Sequence, residues 1–232
     1  MEREYCRNHI EPRGRERFSS DITESSLLEY QASRSALGLS NRTVNILVGI
    51  IRKIMLYAAA KGWTGSATMK YPKLREAKRH HAFLTPDEYS RLVSRIENPL
   101  TRARVVFARH TGLRPAELAW LSWADVDLEG GTVKVQGKAG WKPKTDEERV
   151  IPLNDTASDI LTTLYKVRKG PWVFSRGQRP VLDIKKALLT AAEGAGIHKR
   201  VSPNMLRHTF ATHALQAGGT SRRYRRFLGT KS

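Results

Sequence analysis

Cysteine is nearly missing from this chain: Cys6 is the only one in 232 residues. Internal disulfides are thereby excluded, and no cysteine cluster exists to hold zinc, so a reducing cytoplasm suits the chain better than a secretory route. No stretch approaches the roughly 20 uninterrupted apolar residues of a membrane helix. The opening segment, MEREYCRNHIEPRGRERF, has no apolar core of the signal-peptide kind. Fixed-period repeats and low-complexity tracts are absent as well. The expectation from these gaps is a globular cytoplasmic protein with no membrane partner.

Acidic residues are scarce in a way that points to a partner. Asp and Glu number 22 against 41 Lys and Arg, a formal net charge of +19. The excess runs through the whole chain, with 15 basic and 8 acidic residues in 1–82 and 26 and 14 in 83–232. A balance this one-sided implies a polyanion, and nucleic acid is the commonest for a soluble protein. Hydrophobic residues at 40% exclude a disordered basic tail. The length admits one large domain or a small domain joined to a medium one.

Apolar spacing predicts helices over 22–37 and over 42–61, the second with Val44, Leu47, Val48, Ile51, Ile54, Met55 and Ala58 at three- and four-residue intervals. The basic, aperiodic stretch 72–82 reads as a linker after a small helical domain of residues 1–71. Thr85-Pro86-Asp87-Glu88 then carries a capping-box signature and opens the second domain. Further helices are expected over 100–110, from Pro115, over 155–168 and 181–193, and from Ser202-Pro203 to Gln216. TVKVQ after Gly130-Gly131 and RVIPL at 149–153 predict two strands joined by a long basic loop.

Two segments stand out for chemistry. One is Thr111-Gly112-Leu113-Arg114-Pro115-Ala116-Glu117-Leu118, continuing to Asp125-Val126-Asp127; the other is Asn204-Met205-Leu206-Arg207-His208-Thr209-Phe210-Ala211-Thr212-His213. Arg114 and Arg207 both fall at or near predicted helix starts, where backbone amides and the helix dipole favour anions. Paired guanidinium donors suit the non-bridging oxygens of a phosphate. Glu117 reads either as the group that holds Arg114 or as an ordinary charge at a helix start. Asp125 and Asp127 read as turn caps rather than a metal pair. His208 and His213 lie five apart, about 500° around a helix, and so do not share a face as metal ligands would.

Together with RVIPL and Leu228-Gly229-Thr230, these boxes resemble the tyrosine recombinase (phage integrase) family over residues 83–232, and more weakly over 22–71. The resemblance implies a mainly α fold: a small helical core-binding (SAM-like) domain, then a catalytic domain that is largely helical with a small antiparallel sheet. It implies duplex DNA as partner, a homo-oligomer on that DNA, nucleoid association, no cofactor and no metal. Arg114 and Arg207 are the implied catalytic arginines, and a lysine on the β-hairpin would protonate the leaving oxygen. Lys138 has the family's distance from Arg114, whereas Lys144 has its distance from Pro152; Lys144 is preferred, with Lys138 as a DNA contact alongside His208 and Arg42.

The pattern departs from the family at three places. Asn204 stands where a histidine is usual, so acid–base help is lost there. Thr230 stands where histidine or tryptophan is usual. The family's nucleophilic tyrosine lies about nine residues further on, past Ser232, and Tyr224 matches a core position instead. The expectation is a protein that keeps the fold and the phosphate pocket but not cleavage. A second class is a non-catalytic DNA-binding regulator that occupies recombination sites.

Overall fold

The computed structural model describes residues 2–11, 22–64, 69–77, 82–138, 141 and 148–218. The chain divides into two compact units, Met1–Arg79 and His80–Ser232.

In the first unit, α1 (Glu2–Tyr5) runs into a π-helical turn, Cys6–Ile10, followed by α2 (Glu24–Ala36) and α3 (Asn41–Ala60). Thr23 starts α2 by accepting the Ser26 N–H, while its own N–H donates to Ser26 Oγ at 2.9 Å. Ser40 caps α3 through the Thr43 N–H. Leu27, Ile51 and Met55 form a buried cluster, with Ile10, Ile22, Tyr30, Met69 and Tyr71 packed against it. By length and composition α3 is sufficient to cross a membrane, which corrects the expectation that no segment is. Its apolar character is broken by Arg42, Arg52 and Lys53, and Val44, Leu47, Val48, Ile51 and Met55 are buried.

Residues 72–76, the start of the stretch expected to link two domains, are strapped to the first unit. Gln31 Nε2 donates to the Pro72 carbonyl at 2.8 Å, and Asn45 bonds Leu74 through both its amide nitrogen and its amide oxygen. Asn41 reaches the Arg75 carbonyl, and Asn45 also donates to Glu76. Side-chain amides thus satisfy backbone groups of a segment outside helix and strand.

The second unit is helical around a small sheet, the expected fold class. Its order is α4 (Pro86–Ser94), α5 (Pro99–Thr111), α6 (Pro115–Ala119), a 3-10 turn Trp123–Asp125, β1 (Val126–Asp127), β2 (Thr132–Val135) and β3 (Arg149–Pro152). Then come α7 (Asp155–Lys166), the hairpin β4 (Ser175–Arg176) and β5 (Arg179–Pro180), α8 (Lys185–Gly194) and α9 (Pro203–Gln216). The sheet order is β1-β2-β3, all antiparallel, with Val133 opposite Ile151 and Val135 opposite Arg149. Helix α5 is the hub, packing against α4, α6, α7 and α9.

The Thr85 capping box forms as its residues predict: Thr85 N–H donates to Glu88 Oε2 at 2.7 Å and Glu88 N–H to Thr85 Oγ1 at 3.2 Å. The core below includes Leu92, Phe107, Leu161, Phe174 and Leu188, all fully buried. Each such side chain contributes about 1.5–3 kcal/mol by leaving water. β1 and the β4–β5 hairpin were not among the expected strands. Both are only two residues long, too short for an alternating pattern to register.

Candidate active site

Gly112 ends α5 in the left-handed region, at φ 63. The chain then buries Leu113 and presents Arg114 immediately before α6, where Pro115 occupies the first helical position. Glu117 folds back on this start. Its Oε2 accepts the Arg114 backbone N–H at 2.7 Å and its Oε1 accepts Arg114 Nη1 at 2.9 Å. Of the two readings left open for Glu117, the holding of Arg114 is the one observed. From below, the buried Arg104 donates Nη2 to the Pro115 carbonyl at 3.2 Å.

Helix α9 brings the second box to the same place. Arg207, 9% exposed, donates Nη1 to the Gly112 carbonyl at 2.7 Å. The Phe210 ring covers Gly112 so closely that a Cβ there would fall 2.3 Å from Phe210 Cδ1. Two further bonds fix α9 to the segment before α4: Leu84 N–H donates to Thr209 Oγ1, and His213 Nε2 lies 2.9 Å from the Leu84 carbonyl. A carbonyl only accepts, so Nε2 carries the proton and Nδ1 accepts from the Arg109 guanidinium. Burial, then Arg109, holds the His213 pKa below its ordinary value, which keeps the ring neutral.

A third arginine completes the cluster. Arg149, at the start of β3, sets Nη1 and Nη2 against Glu117 Oε1 and Oε2 at 3.0 and 2.6 Å, a two-point fork on one carboxylate. Burial raises the Glu117 pKa, but the hydrogen bonds from Arg149 and Arg114 outweigh it, and the carboxyl stays below its usual range. Arg207 is pushed down to about 10, chiefly by burial and then by Arg114; Glu117 opposes the shift and Arg149 adds to it. Three guanidiniums and one carboxylate leave two positive charges in a largely water-excluded place. Such an arrangement attracts an anion and gains most from one that carries more than a single charge.

Lys138 belongs to a different cluster. Its ammonium donates to the Trp120 carbonyl at 2.6 Å, to Ser122 Oγ at 3.0 Å and to Asp125, and it lies 5.5 Å from the centre of the Trp172 ring. Asp125 also caps its own turn through the Ser122 N–H and accepts from Gln136. Burial works against this carboxylate, and the Lys138 bond leads the interactions that lower its pKa regardless. Asp127 accepts the Gly130 N–H at 2.8 Å. Both aspartates thus serve turns, and among the described residues no group of three or more His, Cys, Asp or Glu is placed to hold a metal ion.

The model for the phage integrase family matches residues 82–232 of this sequence, about two thirds of the chain. The chain belongs to the phage integrase family. The tyrosine recombinase XerA of Pyrococcus horikoshii is 30% identical over 214 residues, which span 89% of this chain and 72% of that protein. The fold is that of solved integrases. A Tn1549 transposon integrase in complex with transposon right-end DNA gives a TM-score of 0.76 at 20% identity, over 91% of this chain and 78% of that one. A lambda integrase tetramer bound to a Holliday junction gives 0.73 at 19% identity, over 92% and 65%.

Among the residues singled out for an integrase role, Arg114 is held by Glu117, and Arg207 bonds the Gly112 carbonyl two residues before Arg114. Asn204 is exposed in the first turn of α9, and His208 on the same helix is half-buried. Arg42 lies in the first unit, mostly exposed, and pairs with Glu76 at 3.5 Å. Lys138 is engaged by Asp125 rather than by the arginine cluster. Lys144, Tyr224 and Thr230 lie outside the described residues. Arg149 was not among the expected site residues. Once β3 is in place, its alternation turns Arg149 to the same side as Ile151, which is 3% exposed, while Val150 between them is 55% exposed.

Proposed function

We propose that this integrase-family chain binds duplex DNA and holds one backbone phosphate between Arg114 and Arg207, at the point where strands are cut and rejoined in site-specific recombination. The observation that supports the reading is that Arg207 bonds the Gly112 carbonyl, two residues before Arg114, beside a cluster with two net positive charges. A phosphodiester carries one negative charge, and its pentacoordinate transition state carries two. Guanidinium donors fixed before the reaction stabilise that added charge without reorganising. A lysine of the β2–β3 connection, Lys144 or Lys138, would protonate the oxygen that leaves when a tyrosine hydroxyl, assigned to no residue here, forms its bond to phosphorus.

On this reading residues 1–71 form a core-binding domain, 83–232 the catalytic domain, and 72–82 join them. The surplus positive charge of both parts neutralises DNA phosphates, and copies of the chain assemble on the duplex at the nucleoid. The XerA relative is a tyrosine recombinase, and the lambda integrase neighbour was solved on a Holliday junction.

Phosphate-ethylation interference on a duplex selected from random sequence tests the reading. The intact protein is expected to show one phosphate per bound copy whose ethylation blocks binding, and Arg114→Ala and Arg207→Ala are expected to become indifferent to it while other phosphates still matter. Identical interference patterns in all three proteins would rule the site out.

A further inference from the structure

Arg149 has the geometry of a residue that acts through another. It opens β3, its side chain is 9% exposed, and both ends of its fork rest on Glu117, whose own side chain is 2% exposed. The two are 32 positions apart in sequence, so this pairing ties the hairpin to the start of α6. Glu117 bonds the Arg114 guanidinium at 2.9 Å, and its charge opposes the lowering of the Arg207 pKa. A buried carboxylate bonded to Arg114 offsets part of the positive charge that an incoming phosphate would meet.

Resting on the phosphate-binding reading above, we propose that Arg149 is a positioning residue. By sharing both oxygens of Glu117 with Arg114, it offsets that carboxylate's charge and so preserves the attraction of Arg114 and Arg207 for phosphate. The carboxylate then acts as a support for Arg114, through the helix-start bonds, rather than as an internal substitute for the substrate. The charge count agrees: without Arg149 the cluster would hold two guanidiniums against one carboxylate, a net single positive charge instead of two.

The test is titration of the protein with inorganic phosphate, followed through the arginine Nε–Hε NMR signals, together with the titration of the Glu117 side-chain carboxyl by carbon-13 NMR. In the unmodified protein the Arg114 and Arg207 signals are expected to move saturably, and Arg114→Ala to abolish the response. Arg149→Met is expected to weaken phosphate about tenfold and to raise the Glu117 pKa. The double variant Arg149→Met with Glu117→Gln is expected to recover to within about threefold of the starting affinity, because the competing charge is gone.

A double variant as weak as Arg149→Met would make Arg149 a direct phosphate ligand and overturn the proposal. An Arg149→Met variant with unaltered phosphate affinity would do the same by making the residue merely structural. Should Arg149→Met fail to fold, Arg149→Lys keeps the charge and loses the fork. It is then expected to weaken phosphate by a smaller factor that Glu117→Gln again relieves, and absence of that relief would overturn the proposal. No saturable response in the unmodified protein would defeat the phosphate-binding reading itself, and this inference with it.

Discussion

The Arg207 guanidinium donates to the carbonyl of Gly112 at 2.7 Å, joining residues 95 positions apart in sequence. That bond uses an orphan acceptor at the end of α5, which the left-handed turn at Gly112 exposes to α9. A glycine that shapes one arginine box thereby also orients the arginine of the other.

Replacing Gly112 is expected to damage both boxes. Gly112→Ala places a Cβ 2.3 Å from Phe210 Cδ1 and forces a non-glycine residue to φ 63. The expected loss of stability is about 2–4 kcal/mol, the combined effect of overpacking and backbone strain. Urea unfolding of the variant measures it. A change below about 0.5 kcal/mol would show that Phe210 moves aside at little cost.

Stability is expected to decline as the pH drops through the ordinary histidine range. His213 and His110 both have folded-state pKa values below the usual one, through burial and then Arg109. The unfolded chain therefore binds protons first, and stability present above about pH 6.5 is lost on acidification until the folded-state values are reached. Thermal melts between neutral and mildly acidic pH test this, and His213→Asn is expected to flatten the profile. At lower pH the sign is the same for a different reason. Glu117 and Asp125 titrate below their usual values in the folded state, so their contribution is present above the ordinary carboxylate pKa and is lost as pH falls through the lowered one.

The ion pair between Lys138 and Asp125 is expected to be structural in the DNA-free protein. Lys138→Met leaves a buried carboxylate with its charge unanswered, at a cost of about 3 kcal/mol. The double variant Lys138→Met with Asp125→Asn is expected to recover most of that loss. Chemical denaturation of the four proteins closes the cycle, and additive losses would mean that the two groups are not coupled.

Binding to duplex DNA is expected to weaken steeply with salt, because a net charge of +19 is distributed over the entire chain. With about four phosphates neutralised, each doubling of salt lowers affinity roughly tenfold. Fluorescence anisotropy with a random-sequence duplex reads the slope. Affinity that holds constant across the salt range would contradict an electrostatic footprint.

What was legible in the sequence was what neighbouring residues determine. The Thr85 box, the Pro115 and Pro203 helix starts and the apolar stripe of α3 each rest on contacts within a few positions, and each falls within two residues of its expected place. The arginine boxes were recognisable by their flanks, since Gly112 and Glu117 are the residues that shape Arg114. Long-range pairings were not legible. Arg149 is one of 41 basic residues until the fold sets it against Glu117. The engagement of Lys138 with Asp125 also depends on the return of the sheet, so spacing alone ranked two lysines without deciding between them. The bridge that His213 makes from Leu84 to Arg109 is likewise invisible in the sequence, because it requires α9 and α5 to meet.

The central claim is that Arg114 and Arg207 share one phosphate. Crystals of the protein soaked in selenate, a tetrahedral dianion that can be located by its anomalous scattering, put it to the most direct test. A selenium peak is expected with selenate oxygens about 3 Å from both guanidiniums, beside Glu117 and Arg149 and lost in Arg207→Ala. Selenate bound only at other basic surfaces, or a peak that persists in Arg207→Ala, would contradict it.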